Sequence, residues 1–249
     1  MPARTFRLGC VVLDRTKLSE QDLILTLLSR EGEQVRAVAK GARKPGGRLA
    51  SRSELFSEVD VLLAKGRGAL SIVSEAALVN PHRAIRGDYG RVCAASAVAE
   101  LARLTSFEDV RDPYLYGICA KALSAVEGLS SQASLRLLTA AYALKVCAHC
   151  GWMPQLASCV ACGDPDVSSF SSLAGGALCA SCAKDVPGVR LLGAGGLSWV
   201  SSLLSLTFDQ LLSLDSDDAT ASLLLEVSHE WASTHLDARL RCLEFMLGA

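Results

Sequence analysis

Over the first 80 or so residues, apolar side chains recur at a spacing of two in short runs broken by polar turns. "FRLGCVVL" sets Phe6, Leu8, Cys10 and Val12 on one side of an extended segment, and "DLILTLLS", "EQVRAVAK", "EVDVLLAK" and "LSIVSEAAL" follow it. The glycine turns of "SREGEQ" and "AKGRGAL" separate neighbouring runs, so the pattern predicts five short strands. Strands of this number and length predict a small barrel, either OB-type or SH3-like, and alternation alone does not choose between them.

From Asp88 the period lengthens to that of a helix. "DYGRVCAASAVAELARL" is rich in Ala and Leu, and "DPYLYGICAKALSAV" opens with Asp112 as N-cap and Pro113 at the first helical position. "SSQASLRLLTAAYALKVCAHCG" runs to a stop at Gly151. A cysteine-rich stretch follows from Pro154 to Pro187. "GLSWVSSLLSL" and "DATASLLLEVSHEWASTHLDARLRCLEFML" then return to helix, the last read as a segment long enough to pack across a bundle. The expected fold class is α+β: a barrel over 1–84, a helical domain over 85–153 and 190–249, and an insertion over 154–189.

Composition narrows the setting. Half of the 249 residues are apolar, enough for a sizeable core, yet no stretch approaches the roughly 18 to 20 apolar residues of a membrane span. The start "MPARTFRLGCVVLDRT" has a basic flank, but its apolar run ends at Asp14 without a small-residue cleavage site, so no signal peptide is expected. The expected location is the cytoplasm, where thiols stay reduced. Ten cysteines in that compartment point to metal or buried core. The net charge of −1 conceals an asymmetry, since residues 1–86 carry 15 Lys and Arg against 9 Asp and Glu. A local positive field of this kind attracts nucleic acid, and it also suits a solvated face.

"SCVACGDPDVSSFSSLAGGALCASC" holds Cys159, Cys162, Cys179 and Cys182 in the spacing C-x2-C-x16-C-x2-C. Each pair can grip one ion from a tight turn, with a hairpin bend at Gly175 and Gly176 between them. Four thiolates close a tetrahedral zinc site and leave no position for water or substrate, so one structural Zn(2+) is expected. A zinc deaminase would need His-x-Glu and Pro-Cys-x-x-Cys, which are missing. A redox Cys-x-x-Cys would need a β-α-β setting, and zinc suits the paired turns better than an iron-sulfur cluster. In "CAHC", Cys147 and Cys150 read as small buried hydrophobes, as do Cys10, Cys93, Cys119 and Cys242. His82, His229 and His235 lack a nucleophile arrangement and read as structural or surface residues. No phosphate-cradling Walker loop occurs, so no nucleotide hydrolysis and no enzyme activity is expected.

"RAVAKGARKPGGRLASR" carries Arg36, Lys40, Arg43, Lys44, Arg48 and Arg52 with no acid among them. Its glycines and Pro45 read as a mobile connection on the barrel rim, whose cations can follow a phosphate backbone. Only Phe6 and Phe56 lie within 1–80, so base stacking is not supported and any nucleic-acid binding would rest on charge. Arg83, Arg86 and Arg91, at the passage from barrel to helix, are candidates for a second basic surface, with Arg239 and Arg241 weaker ones. A binding module for DNA and a zinc-ribbon adaptor for proteins both remain open on these residues.

The order of parts, with "VAKGARKPGGRL", "GWMPQLASCVACG", "FSSLAGGALCASC" and "HLDARLRCLEFM" spread from Lys40 to Met246, resembles the RecO family of bacterial recombination mediators. The most specific stretch is Gly151, Pro154, Leu156, Cys159, Cys162 and Gly163. The resemblance implies an N-terminal OB-fold, a helical domain and a zinc-ribbon insertion. It implies binding of single- and double-stranded DNA and annealing of complementary strands. It implies loading of RecA, together with RecR and often RecF, onto DNA coated by single-strand-binding protein, in a cytoplasmic, nucleoid-associated setting. Some members lack the four cysteines, which assigns the site to support of the fold. The "CAHC" pair is not part of the family pattern.

Overall fold

A computed structural model describes residues 5–66 and 70–248. The chain divides into two compact units, Met1–Gly128 and Leu129–Ala249.

The first unit opens with strands β1 (Thr5–Lys17), β2 (Leu23–Ser29), β3 (Gln34–Ala39), β4 (Glu58–Ala64) and β5 (Ser71–Asn80). They close a barrel in the order β1-β2-β3-β5-β4, with β1 returning to pair with β4. All pairs are antiparallel except β3 with β5, joined through Ala37–Ser71 and Val38–Ile72. This is the OB-type arrangement, and it settles the choice that alternation left open. A bulge between Val12 and Asp14 bends β1 so that one strand can serve two neighbours. The "AKGRGAL" turn runs through 67–69, outside the described residues.

The barrel core takes every second residue of each strand: Leu23, Leu25 and Leu27 from β2, and Val59, Val61 and Leu63 from β4, beside Cys10 and Val12. Val11, Leu13 and Leu28 point the other way and are buried too, because helices α2 (Tyr89–Thr105) and α3 (Pro113–Gly128) pack on that side of β1 and β2. Double coverage explains why these strands read as nearly continuous apolar runs. Asp88 caps α2 by accepting the Arg91 amide at 2.9 Å. Asp112 accepts the amide of Tyr114 at 3.2 Å, with Pro113 opening α3. A four-residue helix, α1 (Arg83–Arg86), precedes them and is too short to show a period.

The second unit is built on α4 (Gln132–His149), capped by Ser131, which lies along α7 (Asp218–His235), capped by Asp217. Leu135, Leu138, Tyr142, Leu224, Leu225 and Trp231 fill its core. Between these helices come β6 (Ser169–Ser171), β7 (Gly176–Leu178) and β8 (Arg190–Leu191), in the order β7-β6-β8, then α5 (Gly193–Ser205) and α6 (Phe208–Leu212). The C-terminal segment is not the single long helix its apolar spacing suggested. It breaks after α7, where Asp237 takes a left-handed φ of 46°, and resumes as α8 (Arg241–Leu247). Among the described residues no helix is long and apolar enough to cross a membrane.

Candidate nucleic-acid interface and metal centre

Two short loops and one hairpin build the metal centre. The Cys159 amide donates to Asp164 O at 2.8 Å and the Gly163 amide returns to Cys159 O at 2.8 Å, a turn that needs the φ of 80° at Gly163. The β6–β7 hairpin bends at Gly175 and Gly176, the latter held where a Cβ would fall 2.1 Å from Gln155 O. A 3-10 turn, Cys182–Asp185, follows Cys179. Cys159 and Cys179 are buried with Leu178 in a small apolar core that Val160, Val167 and Val186 complete.

The four sulfurs lie within 4.8 Å of one another, and Cys162 Sγ and Cys179 Sγ are 3.8 Å apart. A tetrahedron with metal–sulfur bonds of about 2.3 Å has edges of about 3.8 Å, so the donor set fits one ion. The Cys179 amide, ahead of those of Ala161 and Cys162, donates to the Cys159 sulfur and draws its thiol down to about 6. The neighbouring thiols, Cys162 first, push Cys182 up to about 12. Four crowded sulfurs resist ionising together until a cation supplies the compensating charge. Among the described residues these are the metal-ligating side chains that come together. Cys147 is fully buried, its thiol pushed up to about 12 by burial, while Cys150 is exposed at the end of α4. Cys10 and Cys119 are core residues, whereas Cys93 and Cys242 are half-buried.

The basic segment runs as a chain of hydrogen-bonded turns. Amides of Lys44, Gly47, Ala50 and Arg52 each donate to the carbonyl three residues earlier, at 2.9 to 3.2 Å. Ala42 is buried in the barrel core and Leu49 packs against it. Two apolar residues that the charge pattern masks thus pin the segment to the barrel.

This order sorts the six cations. Lys40, Lys44, Arg48 and Arg52 line one groove of about 490 Å3 against β5, with Glu75 as its acid and no aromatic side chain. Arg43 lies beside a different depression, with Arg15 and Glu54. Its guanidinium donates to Glu20 O at 2.9 Å and Ser19 O at 3.3 Å. Arg36, on β3, faces a larger cleft where Arg7, Lys65 and Arg111 mix with Glu31, Glu33, Glu108 and Asp109.

The junction cations are mostly engaged within their own unit. Arg86 pairs with Glu54 at 2.9 Å and donates to Leu55 O at 3.1 Å. Arg91 reaches Ala84 O at 3.4 Å, and Arg83 is exposed on α1. In the second unit Arg239 pairs with Glu244 at 2.9 Å, and Arg241 begins α8.

Sequence reasoning missed the turn that holds the basic segment and the carboxylates that flank His82. Asp22 and its turn neighbours grip the basic segment, and only their turn-forming composition hinted at a role. His82 is fully buried, with Nδ1 2.8 Å from Glu127 Oε2 and Nε2 3.2 Å from Glu58 Oε1. Glu58 also accepts from the Tyr116 hydroxyl at 3.0 Å. The residues of this cluster are scattered from 58 to 127, so no local pattern announces it.

Comparison with known proteins adds identity to this geometry. A family model described as recombination protein O N terminal matches residues 1–82, and one described as recombination protein O C terminal matches residues 86–244. The chain is 33% identical over 243 residues to a DNA repair protein RecO of Bifidobacterium animalis subsp. lactis, covering 97% of this chain and 98% of that protein. A DNA repair protein RecO of Bifidobacterium adolescentis is 33% identical over 245 residues, covering 95% and 96%. One from Bifidobacterium longum is 37% identical over 171 residues, covering 68% and 70%.

Proposed function

This chain belongs to the RecO family of DNA repair proteins, and on that premise we propose that it is a recombination mediator that binds single- and double-stranded DNA and anneals complementary strands. It acts with RecR, and often RecF, to load RecA onto DNA coated by single-strand-binding protein. Its four cysteines hold one structural zinc ion, which supports the fold of the second unit and leaves no coordination site for a substrate.

The observation that carries the DNA reading is the convergence of Lys40, Lys44, Arg48 and Arg52 on one groove. Annealing makes and breaks no covalent bond. It requires that the repulsion between two polyanions be screened, and a cationic groove without aromatic platforms does this without preference for sequence.

The test is the affinity of the full chain for labelled single-stranded DNA across a salt series. Each phosphate contact contributes a slope of roughly −0.7 to log K against log salt. Replacing the four groove cations by Ala should weaken binding equally for different sequences and flatten the slope by about two to three units. An unchanged affinity and slope would move the site away from this groove. Absence of any salt-sensitive binding by the unmodified chain would leave a zinc-ribbon adaptor between proteins as the reading.

A further inference from the structure

The groove cations work only if the segment that carries them keeps its course, and the structure shows what holds it. The turn between β1 and β2 is locked on itself: the Asp22 amide donates to Ser19 Oγ at 3.2 Å, and the Leu18 amide donates to Asp22 O at 3.1 Å. From this platform three kinds of bond reach across to the basic segment. Asp22 Oδ1 accepts the Gly41 amide at 2.8 Å, and Gln21 O accepts the Arg43 amide at 3.0 Å. Glu20 O and Ser19 O accept the Arg43 guanidinium. Gly41 takes a φ of 66° at this point, a left-handed conformation that favours glycine. Arg43 therefore leaves the line of Lys40, Lys44 and Arg48, and its charge is spent on backbone carbonyls of the neighbouring turn.

We infer that Asp22 and Arg43 are positioning residues for the cation groove, holding the 40–52 segment in its binding course without touching the nucleic acid. The inference rests on the reading of that groove as the DNA site. Its physical content is preorganisation. A segment already ordered in the free protein does not lose conformational freedom when the strand arrives, so the brace raises affinity without adding a phosphate contact.

That distinction is measurable because a contact and a brace move different quantities. Loss of a phosphate contact changes the salt slope, whereas loss of a brace lowers affinity at constant slope. Asp22 sharpens the contrast, since removing an acid near a cationic groove would strengthen DNA binding on charge alone. The experiment uses the full chain and single-stranded DNA over a salt series.

Asp22→Ala should weaken binding about tenfold, the scale of one or two net hydrogen bonds. Asp22→Asn keeps the acceptor for the Gly41 amide and should bind as well as the unmodified chain. Arg43→Ala should lose about as much affinity as Asp22→Ala with the slope unchanged. The double variant should be no weaker than either alone, because both act through one brace. If Arg43→Ala flattens the slope by about 0.7 while Asp22→Ala binds as tightly as the unmodified chain or more tightly, Arg43 is a direct contact and the inference fails, with the groove reading intact. Should Asp22→Ala not fold, the slope of Arg43→Ala decides the question alone. Absence of salt-sensitive binding by the unmodified chain removes the DNA reading itself, and the positioning role with it.

Discussion

A buried imidazole with a carboxylate oxygen against each ring nitrogen is costly to disturb from either side. His82 occupies that place between Glu58 and Glu127, in a left-handed conformation with φ of 42°. Replacing it by Ala removes the donor shared by the two carboxylates and leaves Glu58 with the Tyr116 hydroxyl and Glu127 with the Ala84 amide. The first unit should lose about 1.5–3 kcal/mol, the range of hydrogen bonds to charged groups, as read by urea unfolding. Burial raises the Glu127 carboxyl, but the hydrogen bond from His82, then the Ala84 amide and the charge of His82, bring it below the ordinary value of 4.5. A carboxyl lowered on folding contributes stability that is present above that ordinary value and is lost as pH falls through its native value. Stability should therefore decline on acidification below pH 4.5, and Glu127→Gln should remove part of that decline. An identical acid profile in the variant would show that His82 does not hold the Glu127 carboxylate. The thiols give a simpler outcome at this scale. Cys159→Ser or Cys182→Ser should release the single metal ion from purified protein, measured by elemental analysis, and a second ion per chain or an iron-sulfur absorption band would contradict the closed site.

Elements of this chain depend on a few places where backbone must pass close to backbone. Gly32, in the β2–β3 turn, has a φ of 80°, and a Cβ there would lie 1.8 Å from Asp112 O at the start of α3. The same contact seats the α2–α3 loop on the turn, where the Gln34 amide donates to Phe107 O at 3.0 Å and its side chain to Ser106 O. Gly32→Ala adds left-handed strain to a backbone clash and should destabilise the first unit by about 2–4 kcal/mol. Gly46 has a φ of 69° and open space around its missing Cβ, so Gly46→Ala should cost only the strain, about 1–2 kcal/mol. Equal losses in thermal melts of the two variants would discount the close approach at Asp112. What the sequence made legible follows the same division between local and distant causes. The strands of the barrel, the Asp112 cap and the paired cysteines were readable because period two, N-cap chemistry and Cys-x-x-Cys spacing are local. The course of the basic segment was not, because the burial of Ala42 and Leu49 and the grip of Asp22 depend on strands distant in sequence. Arg43 looked like its cationic neighbours for the same reason, since composition records a charge and not the carbonyls that consume it. The break at Asp237 escaped notice because apolar spacing continues across it from Trp231 to Leu243.

Charge is divided between the two compact units. Residues 1–128 carry 19 Lys and Arg against 15 Asp and Glu, and residues 129–249 carry 6 against 11. The zinc ion proposed above, held by four thiolates, would add two further negative charges to the second unit. The nucleic-acid surface proposed above thus lies in the cationic unit, and the metal centre in a unit whose net charge repels phosphate. Each unit has a core of its own: Leu23, Leu25 and Val61 for the barrel, Tyr142, Leu224 and Trp231 for the helices. Structural zinc contributes on the order of 10 kcal/mol in isolated fingers, and the ion proposed for this chain would act on the core of Cys159, Leu178 and Cys179. Stripping the metal with a chelator should lower the thermal stability of residues 129–249, seen as loss of amide protection in β6 and β7 by hydrogen exchange. The cation groove is framed by β5 and by turns pinned to the barrel core, so DNA affinity and its salt slope should survive the treatment. The measurement pairs zinc released with DNA bound in the same samples. If binding falls in step with the zinc lost, the ion supports the nucleic-acid surface directly, and the division of labour between a cationic barrel and a metal-stabilised second unit is wrong.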